Sequence, residues 1–114
     1  MTVSIVMTAY KRAGLLRNTL ESIHRQTRQP DQIIIVEDGH DGGATQGVAI
    51  EFQNKRLPVE YYRRHNRPNL GYSNPAIPKN IGIKKATGDI LIIQCAEVMF
   101  TEPTDLENLV RPVE

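Results

Sequence analysis

Four short runs rich in β-branched, aliphatic or aromatic residues punctuate the chain, and each predicts a strand. They span residues 3–8, 33–36, 59–62 and 90–93. The runs at 33–36 and 90–93 are apolar throughout, without polar alternation, which is typical of parallel strands buried on both faces. The pattern therefore predicts a sheet with at least two strands in the interior.

Helical patterns lie between these runs. Leu16, Leu20 and Ile23 recur at helical spacing and predict an amphipathic helix over residues 13–26, which Pro30 ends. A second helix is predicted from another apolar stripe: Ala44, Val48, Ala49 and Phe52. A third helix is expected to begin near Ser73 or Asn74 and to end at Gly88.

Strand and helix signals thus alternate along the chain, which predicts the α/β class: three layers, with helices on both faces of a mostly parallel sheet. In such sheets ligands bind outside the carboxyl ends of the strands. Polar residues gather at three such ends, in segments 8–12, 37–39 and 94–97. The acidic and glycine-rich stretch 37–43 is expected to be a loop.

Length and charge narrow the function classes. The 114 residues predict one folded unit over residues 1–114. Lys and Arg number 14 and Asp and Glu 13, so the net charge of +1 argues against a broad electrostatic surface for nucleic acid or anionic membrane. The single Cys95 excludes an internal disulfide and fits the cytosol. No run approaches the roughly 18 apolar residues of a membrane span, so any membrane association would come through partners or other segments.

Three segments carry a resemblance to a known family. In order, residues 3–10, 32–39 and 80–89 resemble the large family 2 of GT-A glycosyltransferases. The resemblance implies a Rossmann-like sheet that binds a nucleotide-diphosphate sugar, usually a UDP-sugar, and transfers the sugar with inversion and with help from a divalent metal. Because the chain ends soon after the third segment, we expect a truncated or minimal version of such a domain, the nucleotide-binding half.

The end of the second strand holds the residues expected to recognise the base. Asp38 matches the family acid that pairs with the base edge, and Glu37 beside it is included in the predicted nucleotide site. An ionised carboxylate accepts the imide N–H of uracil, a donor that cytosine lacks. The alternative is that Asp38 is a loop aspartate that caps the next helix.

Two further segments complete the predicted nucleotide site. Thr8, Ala9 and Tyr10 match the family's turn after the first strand, where the tyrosine ring could stack on a base or instead cover the edge of the core. Arg12 is included, with the alternative that it only begins the helix surface. Lys79 stands where the family usually has arginine, so it either reaches the pyrophosphate or base or is a solvated helix lysine.

Cys95, Ala96 and Glu97 fall where the family has its Asp-X-Asp metal motif, and Cys95 and Ala96 are also included in the predicted nucleotide site. Glu97 keeps the metal-binding carboxylate, which suits Mg²⁺ or Mn²⁺. Cys95 replaces the first aspartate, and a soft thiol weakens the expected metal affinity and transfer activity. We expect Cys95 to be a small buried residue rather than a nucleophile, because no histidine is placed to activate it.

The remaining polar residues suggest little further chemistry. His24, His40 and His65 are not spaced for zinc. The basic cluster of Arg63, Arg64 and Arg67 is expected in a solvated segment, with phosphate contact as the alternative. The catalytic base stays unassigned, because the acidic residues that follow the metal motif lie in a Pro-interrupted surface stretch: Glu102, Asp105 and Glu107.

The sequence therefore predicts a nucleotide-sugar-binding glycosyltransferase domain acting on an unknown acceptor, which could be a saccharide, a lipid or a protein. Two alternatives stay open: a binding module without transfer activity, and a Rossmann-like interaction domain. Exposed apolar surface at the edge of a small sheet also predicts self-association into a homo-oligomer.

Overall fold

The computed structural model describes residues 1–39, 42–64 and 76–114. Its strands are β1 (Val3–Ala9), β2 (Gln32–Asp38), β3 (Val59–Arg64) and β4 (Ile90–Cys95). Its helices are α1 (Ala13–His24), α2 (Ala44–Asn54), α3 (Ala76–Lys85) and α4 (Asp105–Val110), and a 3₁₀ turn follows at Arg111–Val113.

The four strands form one sheet in the order β3-β2-β1-β4, and every pair in it is parallel. β1 is central, because its Val6 pairs with Ile34 of β2 and with Ile93 of β4. Helices pack on both faces of the sheet. The predicted three-layer α/β class is therefore confirmed.

The two faces of the sheet bury different clusters. On one face, α1 and α2 close over the larger core, in which Ile5, Met7 and Phe52 are fully buried, and α4 packs at Val3. On the other face α3 covers a smaller cluster built from Val6, Ile34 and Val36, against which Ile81 packs. The helical spacing of the apolar residues had predicted the two helices α1 and α2 that cover the larger core.

Two predicted boundaries were wrong at the carboxyl ends of strands. The stretch 37–43 was expected to be a loop, but Glu37 and Asp38 are the last residues of β2, since they pair with Arg63 and Arg64 of β3. The two arginines are accordingly strand residues and not part of a solvated segment. Arg67 and the expected start of the third helix at Ser73 or Asn74 lie outside the described residues.

The expectation that 90–93 is buried on both faces was also wrong. Exposure alternates along β4, and the side chains of Leu91 and Ile93 are 39% and 45% exposed. They share a face with Val6 and Ile34, which α3 covers, but α3 packs over β1 and β2 rather than over β4. Self-association through such apolar surface stays a prediction.

Among the described residues, no helix combines the length and apolar character that crossing a membrane requires.

Gly82 provides a test of the α3 packing. A Cβ at this position would lie 2.4 Å from Val6 Cγ1 and 3.3 Å from Val36 Cγ2. Overpacking of this kind costs about 1–3 kcal/mol. Gly82→Ala is therefore expected to lower the free energy of unfolding relative to a matched helical substitution, Gly47→Ala in α2, where a Cβ meets no atom within 4 Å.

Urea denaturation of both variants measures the difference. Gly47→Ala should gain about 0.5–1 kcal/mol, because alanine restricts the unfolded chain. Gly82→Ala should be at least about 1 kcal/mol less stable than Gly47→Ala. Equal stabilities would contradict the close approach of α3 to β1.

Candidate functional site

A cleft of about 220 Å³ opens at the carboxyl edge of the sheet. Its walls come from the ends of β1, β2 and β4, from the turns that follow β1 and β4, and from the first turn of α3. The lining residues are Thr8, Ala9, Tyr10, Arg12, Asp38, Pro78, Cys95, Ala96 and Glu97.

Strand pairing brings these residues together from distant parts of the chain. Thr8 of β1 pairs with Val36 on one side and with Cys95 on the other. Because side chains alternate between the faces of a strand, Asp38 lies on the same face as Val36, two residues earlier. Thr8, Cys95 and Asp38 therefore share the α3 side of the sheet at its carboxyl end.

The turn after β1 places a tyrosine and an arginine at the cleft. Lys11 adopts a left-handed conformation, with φ of 51°, which turns the chain sharply between the strand and α1. Tyr10 is 39% exposed, and Lys11 Nζ lies 5.4 Å from the centre of its ring. Tyr10 thus lies at the cleft with part of its side chain exposed.

The turn after β4 is anchored to α1. The Thr19 hydroxyl donates to the Ala96 carbonyl at 2.5 Å, and the Val98 N–H donates to the Cys95 carbonyl at 3.1 Å. Thr19 and Ala96 are buried, whereas Cys95 and Glu97 on either side of Ala96 are exposed. The expectation of a buried Cys95 was wrong, because it shares the face of β4 that α3 leaves uncovered.

Arg12 and Glu97 face each other across the mouth of the cleft. Arg12 Nε lies 4.0 Å from Glu97 Oε2, and both side chains are more than half exposed. An ion pair this open to water contributes little to stability. Both groups are therefore available to a ligand at a small energetic cost.

Asp38 has a different environment. Its side chain is only 7% exposed, and its Oδ1 lies 3.3 Å from Nη1 of Arg64, whose side chain is 15% exposed. Arg64 itself does not line the cleft. The sequence pattern did not show this contact, because it depends on the register between β2 and β3.

Two predicted nucleotide-site residues do not line the cleft. Glu37 points to the opposite face of the sheet, where it is buried and the Tyr61 hydroxyl donates to it. The alternation of side chains along a strand could have separated Glu37 from Asp38. On α3, the half-exposed Lys79 lies outside the cleft wall, and Pro78, which the sequence analysis did not select, lines it instead.

The three acidic residues left unassigned as a base lie away from the cleft. Asp105 is the first residue of α4. Its carboxylate accepts hydrogen bonds from the backbone N–H groups of Thr101 and Glu102, at 2.9 Å each. These hydrogen bonds, that from Glu102 first, lower the pKa of Asp105. Glu107 pairs with Arg111 at 3.2 Å. None of the three lines the cleft, so none is assigned a catalytic role.

The metal motif offers a limited set of ligands. Within residues 1–39, 42–64 and 76–114, no three His, Cys, Asp or Glu side chains cluster closely enough to enclose a metal ion. Glu97 supplies one hard oxygen at the cleft, and Cys95 supplies a soft sulfur. The Glu97 oxygen suits a Mg²⁺ or Mn²⁺ ion that takes most of its ligands from phosphate and water, whereas the Cys95 sulfur does not.

The fold is an α/β domain with a cleft at the carboxyl edge of a parallel sheet, and the cleft is lined by the acidic Asp38 and Glu97 and by the basic Arg12. The model of the family described as glycosyl transferase family 2 matches residues 4–114. The chain therefore belongs to glycosyltransferase family 2, and the predicted resemblance is confirmed.

Curated relatives agree with this assignment. The chain is 32% identical over 114 residues to YwdF, an uncharacterized glycosyltransferase of Bacillus subtilis (strain 168). The alignment covers 100% of this chain and 39% of YwdF. It is 30% identical over 107 residues to an uncharacterized glycosyltransferase of Haemophilus influenzae. That alignment covers 92% of this chain and 35% of the relative. The chain thus spans well under half the length of these relatives.

Solved structures agree on the fold. The crystal structure of S. aureus TarS 1–349 superposes with a TM-score of 0.79 at 18% identity, covering 96% of this chain and 31% of TarS 1–349. The structure of TarS 1–349 in complex with UDP superposes with a TM-score of 0.76 at 18% identity, with the same coverage of both chains. TarS 1–349 in complex with UDP-GlcNAc gives 0.74 at 17% identity, covering 96% and 30%. At this identity the likeness shows the GT-A fold alone.

The position of Cys95 can be tested by thiol labelling. Cys95 is the one cysteine of the chain and is exposed at the cleft. Ellman's reagent is expected to release one equivalent of thionitrobenzoate from the native protein, because an exposed thiol reacts without unfolding. Cys95→Ser should release none. Release that requires denaturant would contradict the placement of Cys95.

Proposed function

We propose that this chain is the donor-binding part of an inverting glycosyltransferase that uses a UDP-sugar. The observation that supports the proposal most strongly is that Asp38 and Glu97, from two different strand ends, line one cleft. A carboxylate suited to a pyrimidine and another suited to a cation at the phosphates are the two groups that a uridine diphosphate requires.

Base recognition is assigned to the inner part of the cleft. The Asp38 carboxylate, which pairs with Arg64, would accept the imide N–H of uracil. Thr8 and Ala9 would line the base and ribose, and the exposed ring of Tyr10 offers a face on which the base can stack. Glu37 is excluded from direct contact in this proposal, because it lies buried on the other face of the sheet.

Phosphate recognition is assigned to the mouth of the cleft. Arg12 lies there with a mostly exposed guanidinium, which suits the bidentate recognition of phosphate oxygens. Glu97 would hold a divalent ion, which, when bound, neutralises the charge that develops on the leaving diphosphate. Since Arg12 lies near Glu97, that ion would meet a competing positive charge, and the arginine itself would share the neutralisation.

The proposed reaction is a displacement at the anomeric carbon. The acceptor oxygen forms a bond to that carbon as the bond to the diphosphate oxygen breaks, and the acceptor proton passes to a base. Asp38 and Glu97 are the two carboxylates among the described residues that line the cleft, and both have other roles in this proposal. The base would therefore come from outside the described cleft.

The second candidate function is donor binding without transfer. It is favoured by Cys95, which puts a soft thiol at the place where the family has a carboxylate. The two candidates share the nucleotide site and differ in turnover, so hydrolysis or transfer of a UDP-sugar would separate them.

Calorimetric titration of UDP tests the nucleotide site. We expect the chain to bind UDP, and Asp38→Asn to weaken binding by about ten- to a hundredfold, since a hydrogen bond to a charged group contributes about 1.5–3 kcal/mol. Glu107→Gln, on α4, is the matched control and should bind as the parent chain does. If the parent chain does not bind UDP, the proposal is refuted in favour of an interaction domain.

A second titration tests the metal position. Cys95→Asp should increase the factor by which Mn²⁺ tightens UDP binding, by about fivefold or more, because a charge this close to a divalent ion contributes at least about 1 kcal/mol even in water. Cys95→Ser is the control for size and should leave that factor unchanged. An equal effect of Mn²⁺ on all three proteins would show that residue 95 does not lie at the metal.

A further inference from the structure

We propose that Arg64 positions Asp38 and thereby sets the preference of the cleft for uracil over cytosine. The inference rests on the proposed function, in which Asp38 meets the base. It assigns a specificity role to a residue that does not itself line the cleft and therefore acts through the carboxylate beside it.

The contact is fixed by strand pairing. Asp38 and Arg64 are partners in the parallel register of β2 and β3, so their side chains leave adjacent strands on the same face of the sheet. Arg64 Nη1 lies 3.3 Å from Asp38 Oδ1, and both side chains are largely buried. A planar guanidinium held this way restrains the orientation of the carboxylate, which a flexible or solvated cation would not.

The Asp38–Arg64 pair is more buried than the Arg12–Glu97 pair at the mouth of the cleft. Arg12 and Glu97 are more than half exposed, whereas Asp38 and Arg64 are 7% and 15% exposed. Arg64 holds one oxygen of this largely buried carboxylate in place. Without Arg64, the Asp38 side chain would lose that restraint and could rotate away from the base.

A change in the orientation of the carboxylate would change base recognition. The uracil ring presents an N–H donor at the position where cytosine presents an acceptor nitrogen. A carboxylate accepts hydrogen bonds, so it can meet the uracil N–H but not the cytosine nitrogen. Arg64 holds Asp38 as a fixed acceptor, so its loss should weaken UDP binding and spare CDP binding. The ratio of the two affinities is the quantity that Arg64 controls.

A purely structural role for Arg64 predicts a different result. An ion pair that only ties β2 to β3 would, on removal, lower stability or weaken both nucleotides alike. Arg63 supplies a matched control, because it is the preceding residue of β3, carries the same charge and points to the opposite face of the sheet.

The experiment measures UDP and CDP affinities by calorimetry at one fixed Mn²⁺ concentration, for the parent chain, Arg64→Met, Arg64→Lys and Arg63→Met. We expect Arg64→Met to weaken UDP about tenfold and CDP by less than about threefold, with Arg64→Lys between Arg64→Met and the parent. Arg63→Met should keep the parent ratio. Thermal unfolding checks that each variant is folded, and Arg64→Lys alone decides the question if Arg64→Met is not.

A double-mutant cycle with Asp38→Asn tests whether Arg64 acts through Asp38. In the Asp38→Asn background, Arg64→Met should change UDP affinity by less than about twofold, because the coupled partner is already neutral. Equal losses for UDP and CDP, or additive effects in the cycle, would overturn the inference while leaving UDP binding by the parent chain intact. A parent chain that binds neither nucleotide would instead refute the proposed function, and this inference with it.

Discussion

Parallel pairing of β1 with both β2 and β4 is the constraint on which the site depends. It brings three strand ends that are far apart in sequence to one edge of the sheet, and Thr8 pairs on one side with Val36 and on the other with Cys95. The buried residues of β1, Val3 to Met7, hold this arrangement from both faces. The cleft is a consequence of that pairing, since all its lining residues except Pro78 of α3 occupy the last positions of the strands or the turns that follow them.

Two charge pairs at the cleft differ in their exposure to water, one being largely buried and the other exposed. Asp38 is largely buried and paired with an arginine on the neighbouring strand, whereas Arg12 and Glu97 stand in water at the mouth. Electrostatic interactions are stronger where water is excluded. The inner region is thus suited to discrimination between ligands, and the outer region to charge neutralisation of a flexible diphosphate. Family 2 membership is established by the match over residues 4–114, and this division of tasks is our proposal for how the chain uses the fold.

Cys95 is the main departure from the family pattern. The structure places its thiol in the cleft, at the position where the resemblance implies a carboxylate. A thiol offers neither the charge nor the hard oxygen that Mg²⁺ prefers. Arg12, on the opposite side of the mouth, offers a positive charge that needs no metal ion.

The sequence by itself determined the α/β class, the parallel sheet and eight of the lining residues, because apolar periodicity reports burial and motifs mark strand ends. Side-chain alternation along β2 separates Glu37 from Asp38, but the sequence could not determine which of the two faces the cleft or which helix covers which strand. Glu37 and Asp38 are neighbours in sequence, yet one is buried beside Tyr61 and the other lines the cleft. Cys95 is exposed and Arg64 is paired because of where α3 and β3 pack. These features arise from contacts between distant segments, and a local pattern does not encode them.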